Sequence, residues 1–151
     1  MSKQKKINLL GIYLILILII LVVLPILTYI FKFGDSLIRA LIYIASSGGL
    51  GGTIYSVRGF YQNLGEDKFK FNWIWWFILR PIISMIIGVF VYFLIVGGLI
   101  SLGAIQEVDF LRSVIFYCGV SFLAGFSFTQ FATKLENLAE TLFSIKKENK
   151  K

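Results

Sequence analysis

The sequence predicts an all-α protein, a polytopic transmembrane helical bundle with four spans. Hydrophobic residues make up 58% of the 151-residue chain and charged residues only 15%. A soluble domain has about 45–50% apolar and about 25% charged residues, and a chain this short cannot bury such an apolar excess in a water-soluble core. The uncharged residues are also gathered into four long runs. We therefore expect residues 1–151 to form a single membrane domain.

Each run has the length that a bilayer requires, which is about 20 apolar residues for a helix rising about 1.5 Å per residue. The first run follows three lysines in the manner of a signal peptide, but no small-residue cleavage site precedes Lys32, so we expect it to stay uncleaved. The predicted spans are residues 7–31, 38–59, 81–102 and 113–133.

The second span is rich in glycine and serine. A crossing helix is favoured because small residues permit close helix packing in lipid. A buried re-entrant hairpin is the alternative, since glycine-rich backbone is tolerated at membrane depth where protein covers it.

The distribution of cations predicts the orientation. Eleven of the fifteen Lys and Arg residues fall on one side of a four-span arrangement, whereas Lys32, Arg39 and Arg112 fall on the other and Arg80 lies at the boundary. Because cytoplasmic loops carry the excess of Lys and Arg, both termini are predicted to be cytoplasmic.

An aromatic segment over residues 72–80 precedes the third span. Its three tryptophans are expected at headgroup depth, where amphipathic rings concentrate. Pro81 lacks an N–H donor and is expected to kink the chain, so residues 72–80 are predicted as a separate interfacial segment. The predicted interfacial or gating residues are Arg58, Trp73, Trp75, Trp76, Arg80 and Pro81.

Arg80 is the charge that interrupts an otherwise apolar stretch. In one interpretation its side chain reaches lipid phosphate at the inner interface. In the other it pairs with a carboxylate and fixes the cytoplasmic loop against the bundle. The candidate partners are Glu66, Asp67 and Glu136.

Small residues recur at spacings of three and four in the second and fourth spans, which places them on one face of each helix. Such faces let helix backbones approach closely in lipid, and Gln130 adds a strong hydrogen-bonding amide. Packing within one chain, contact between subunits and the lining of a pore all remain open. The candidate residues are Ala45, Gly49, Gly52, Ser56, Gly59, Ser121, Gly125, Thr129 and Gln130.

The residues after the last span, 134–151, form an amphipathic cytoplasmic tail that lies on the membrane or extends from it. Catalytic chemistry is not indicated. The chain has no histidine and one cysteine, and its eight carboxylates lie outside the predicted spans. We therefore predict no enzyme activity, no cofactor and no metal site.

Three fragments carry a resemblance: GGLGGTIYSVRGFYQNLG at 48–65, WIWWFILRP at 73–81 and AGFSFTQFATKLENLAETLF at 124–143. Together they resemble a largely uncharacterised class of small bacterial multi-span proteins with about four helices. The resemblance covers residues 45–143. It implies a multi-pass protein of the bacterial inner (cytoplasmic) membrane, and it implies no particular activity.

These observations predict a small integral membrane protein without catalytic machinery, which self-associates as an ion channel or pore or acts as a membrane-perturbing effector. The alternatives are an accessory subunit of a larger membrane complex and a small carrier or flippase. The expected partners are the lipid bilayer and either further copies in a homo-oligomer or a larger membrane protein. Nucleic acid is not expected, because the net charge of +7 follows from topology.

Overall fold

The computed structural model describes residues 3–65, 74–100 and 110–143. Of these residues 92% are helical and none is in a strand, which confirms the predicted all-α class. The helices are α1 (Lys3–Phe31), α2 (Ser36–Gly65), α3 (Ile74–Val96), α4 (Phe110–Phe126) and α5 (Phe128–Phe143).

Three helices are long and apolar enough to cross a membrane, over Ile7–Phe31, Ser36–Leu64 and Ile74–Val96. The pair α4 and α5 passes the same test together, but the two helices are bent by 101°. Many large apolar side chains on α1 are exposed, with Leu9, Ile12 and Ile15 each 61% accessible. A surface of this kind suits lipid, and the chain is compatible with a multi-pass membrane protein of three to four spans.

The second helix is the centre of the bundle and packs against α1, α3 and α4. Along α4, Ser121 lies beside Ile44 and Gly125 lies beside Gly48, so α2 and α4 run parallel. Helix α3 runs the opposite way, since Gly88 is next to Ile44 whereas the earlier residue Ser84 is next to Gly52. Helices α2, α3 and α4 thus alternate in direction, as helices that cross a membrane one after another do.

Helix α2 is continuous over 30 residues despite its glycines. The re-entrant hairpin considered for this segment is therefore wrong. Its glycines are accommodated because neighbouring helices occupy the space that side chains would fill: a Cβ on Gly51 would meet the Phe122 carbonyl oxygen, and one on Gly52 would meet Ser84. Small residues in a membrane helix serve such close approach rather than a break.

Helix α3 differs from its predicted bounds at both ends. It is continuous through Pro81 from Ile74, so the described part of residues 72–80 belongs to the span instead of forming a separate interfacial segment. A membrane helix tolerates proline when its neighbours compensate, and Pro81 is fully buried among them. The helix ends at Val96, before the predicted residue 102, because Gly98 adopts a φ of 74° and its N–H bonds back to Ile95.

The helix predicted over residues 113–133 is interrupted at Ser127, directly after α4 ends at Phe126. In an unbroken helix the carbonyls of Gly125 and Phe126 would accept bonds from the N–H groups four residues on. They instead accept long hydrogen bonds from α3 side chains: Ser84 Oγ lies 3.4 Å from the Gly125 oxygen and Arg80 Nη2 lies 3.4 Å from the Phe126 oxygen. Helix α5 leaves the bundle at this point.

Candidate functional site

Arg80 lies inside the bundle, on α3, and only 5% of its surface is accessible. Its guanidinium carbon is 3.7 Å from the centre of the Tyr55 ring and 4.4 Å from that of the Trp76 ring. The Phe128 ring at the start of α5 is 6.0 Å away. Aromatic faces attract cations at these distances, and more strongly where water is excluded.

The surroundings of Arg80 differ from the interpretation in which its side chain reaches lipid phosphate. The side chain is enclosed by protein, so it does not lie on the lipid-facing surface. Its hydrogen-bond acceptor is the Phe126 carbonyl, and its Nε is buried without a partner among the described residues. Of the predicted carboxylate partners, Glu136 is exposed on α5, and Glu66 and Asp67 lie outside the described residues.

The rings around Arg80 contact one another. Tyr55 packs edge-on against Trp76, with ring centres 6.1 Å apart, and against Phe126 at 5.7 Å. Trp76 in turn meets Phe77 at 5.1 Å. The guanidinium is thus held by rings from α2 and α3 and by the last residue of α4.

Three buried serines lie on α2, α3 and α4, the helices that surround Arg80, and we call Ser56, Ser84 and Ser121 with Arg80 the polar seam. All three serines are fully buried. Ser121 Oγ donates to the Ile44 carbonyl at 2.7 Å. The Ser56 Oγ is buried without a partner in the described part of the chain. The seam therefore places hydroxyl and guanidinium donors between α2, α3 and α4, and Ser84, Ser121 and Arg80 each donate to a helix carbonyl.

Helical periodicity explains why these residues meet. Arg80 and Ser84 are four apart on α3, so they lie one turn above each other on the same face. On α2, Gly52 and Ser56 have the same spacing, and Gly52 contacts Ser84 directly. One small or polar residue per turn keeps the three helices close along the seam.

Several of the predicted small residues pack within one chain, but the predicted faces of α2 and α4 do not meet each other. Gly125 packs on Gly48, and Ser47 Oγ donates to the Cys118 carbonyl at 2.7 Å. Gly49 faces Leu21 of α1 and Met85 of α3.

Other predicted residues lie apart from the seam. Gly59 faces the Phe77 ring and Ala45 is half-buried. Thr129 and Gln130 are exposed on α5, because the helix that would have buried them ends at Phe126. Arg58 and Trp75 are exposed, Trp76 borders Arg80, and Pro81 is buried next to it, whereas Trp73 lies outside the described residues.

Sequence reasoning missed Tyr55, Gly48 and Gly51. The two glycines belong to the run GGLGG, whose four glycines spread over about half of the helix circumference, so spacing alone could not tell which of them would meet α4. Tyr55 lies one residue before Ser56 and bears no sequence signal that marks it as a cation partner.

No group of three or more potential metal ligands is formed by the His, Cys, Asp and Glu residues within the described ranges. The fold and the seam define a multi-pass helical membrane protein with a buried cation. Comparison with known protein families, with curated proteins and with solved structures finds no match for this chain.

Proposed function

We propose that the protein is a non-catalytic membrane channel that conducts small anions, with the polar seam as its pathway and Arg80 near its cytoplasmic mouth. The observation that carries this proposal is the burial of Arg80 inside a span, with rings and a carbonyl as its neighbours. Burying a charge in the membrane is costly, and residues for which that cost is tolerated commonly mark ion pathways.

The proposed preference for anions follows from the positive charge of Arg80 and from the hydroxyl donors of the seam. Hydroxyls and a guanidinium stabilise an anion by donating hydrogen bonds, and rings of Arg or Lys select anions in known pores. Acidic side chains, which would favour cations, lie outside the predicted spans. The seam therefore favours an anion that exchanges its water for these donors.

In this proposal the pathway is closed in the present conformation, since the backbones of Gly125 and Gly48 are in contact between α2 and α4. Opening requires the cytoplasmic end of α4 to move. That end is held by the two 3.4 Å bonds from Ser84 and Arg80, which are longer and weaker than the 2.7 Å bond from Ser121. In this proposal α4 pivots at Ser121, and the residues from there to Phe126 move.

Ion flux from liposomes containing the purified full chain tests this function. We expect chloride to move in preference to potassium, and Arg80→Gln to abolish that preference. Arg112→Gln is the matched control, because Arg112 is an exposed cation at the opposite end of α4. Absence of flux at every membrane potential would refute a channel. An equal preference for chloride in the Arg80→Gln and Arg112→Gln variants would refute the role of Arg80. Saturable uptake would indicate a carrier or flippase instead.

Self-association remains a prediction of its own. Most of the small residues that motivated it contact other helices of the same chain, although Thr129 is exposed, so the proposed pathway does not depend on a second copy. Mass measurement of the detergent-solubilised protein distinguishes a monomer from a homo-oligomer.

An accessory subunit is the second candidate, and one groove favours it. Helices α1, α2 and α4 leave a cavity of about 500 Å³ between them, lined mainly by apolar side chains together with Ser46 and Ser47. Ser46 Oγ is buried there without a partner in the described chain. A helix of a larger membrane protein would fit this groove, and Leu50→Trp should then reduce its co-purification.

We also propose that both termini are cytoplasmic and that the protein resides in the cell membrane of a bacterium. The charge asymmetry supports the orientation. In a Cys118→Ser background, Phe33→Cys should react with a membrane-impermeant maleimide in intact cells. Gln62→Cys should react only after permeabilisation, since it lies at the other end of α2. The reverse result would invert the topology.

A further inference from the structure

The bend between α4 and α5 creates a groove that the proposed channel does not use. It has a volume of about 480 Å³, and we call it the elbow groove. One wall is formed by α3 and α4, including Val91, Val120 and Leu123, and the other by α5. It opens to the side because α5 turns away from α4 by 101°.

The two sides of α5 give the elbow groove an amphiphilic lining. Phe131, Leu135 and Leu138 follow at spacings of four and three and lie on one helical face. Gln130 and Lys134 line the same groove and are four residues apart, so they stand together at its polar edge. An occupant with an apolar body and an anionic head would satisfy both parts.

The position of the elbow groove in the bilayer indicates that such an occupant comes from the membrane. Helix α4 spans 17 residues, or about 25 Å, so its end at Phe126 lies near one bilayer interface. A strongly amphipathic helix that leaves at about a right angle lies along that interface. The α3–α4 wall then faces the acyl chains of the adjoining leaflet, and Leu123 is 63% exposed on it.

We propose that the elbow groove binds an anionic phospholipid of that leaflet, with its acyl chains on Val91, Val120 and Leu123 and its phosphate at Lys134 and Gln130. The charge of Lys134 complements the headgroup. The acyl chains cover the apolar faces of both walls, which neither water nor a polar ligand would do.

Native mass spectrometry of the full chain, purified from membranes that contain phosphatidylglycerol and phosphatidylethanolamine, tests this site. We expect the wild-type protein to retain phosphatidylglycerol. In Lys134→Gln the retained amount should fall about fivefold, which is the change in binding that corresponds to the attraction of one lysine for an anionic lipid surface. Lys5→Gln is the matched control, because it removes an exposed cation on the same proposed side of the membrane. Equal retention in the two variants would overturn the proposal.

A second variant tests the groove without altering charge. Leu123→Trp fills the space from an exposed position, so it should displace the lipid while the bundle stays folded. Lipid retention unchanged by this variant would contradict the location. Retention of a second copy of the chain in place of lipid would show that the occupant is wrong. Neither result depends on ion flux, so the lipid site and the channel can fail separately.

Discussion

Replacing Gly125 by alanine should weaken the contact between α2 and α4. A Cβ at this position would collide with the Gly48 carbonyl oxygen, and it would lie 2.9 Å from the carbonyl carbon and 3.3 Å from the Cα of Gly48. These are backbone atoms, which cannot rotate aside as the end of a side chain does. The two helices must therefore separate where they now touch.

Three contributions set the magnitude. Overpacking a tight contact costs about 1–3 kcal/mol. Separation also weakens the bond from Ser84 to Gly125, and interhelical bonds in membranes average about 0.6 kcal/mol. Alanine is favoured over glycine in a helix by about 1 kcal/mol, which offsets part of the loss. We expect a net decrease in the free energy of unfolding of about 1–2 kcal/mol.

Gly119 provides the matched control, since it lies in the same helix and a Cβ there has nothing within 4 Å. Gly119→Ala should leave stability unchanged or raise it by up to about 1 kcal/mol. Unfolding in mixed micelles, followed by helical circular dichroism, measures both variants. If Gly125→Ala is as stable as Gly119→Ala, the backbone contact is not present in the folded protein. A loss that varies with protein concentration would assign the contact to two subunits.

Three further substitutions probe other contacts by the same unfolding measurement. Ser121→Ala removes the 2.7 Å bond to Ile44 and should cost about 0.6 kcal/mol, with about 1.7 kcal/mol as the upper bound; no loss would show that the bond is not formed. Gln130→Leu, at an exposed site, should change stability by less than about 0.5 kcal/mol, and a larger loss would place the amide in a buried contact. Tyr55→Leu should cost about 2 kcal/mol or more by removing the ring over Arg80, whereas Tyr55→Phe keeps the ring and should be milder; equal losses would exclude a cation–π contribution.

The helical class and the apolar segments of the first three spans were predictable because membrane crossing requires long uncharged runs. The boundaries were less accessible. Pro81 indicated a break by the rules that hold for isolated helices, but a proline enclosed by neighbouring helices is compatible with a continuous one.

The interruption at Ser127 depends on tertiary contacts. Its neighbours Gly125 and Phe126 receive bonds from Ser84 and Arg80, which are more than forty residues away in sequence. No local pattern encodes that event. The candidate site shows the same limit, since spacing identified Gly52, Ser56 and Gly125 as interface residues without showing which face each would meet.

The position of Arg80 has a consequence for how the protein enters the membrane during synthesis. Tyr55 and Trp76 precede Arg80 in the chain, whereas Phe126 follows it. When α3 leaves the ribosome and inserts, the two rings nearest the guanidinium are already available to shield its charge, and the carbonyl arrives only with α4. The first three helices can therefore bring the arginine into the bilayer before the last helix exists, and α4 then completes its environment.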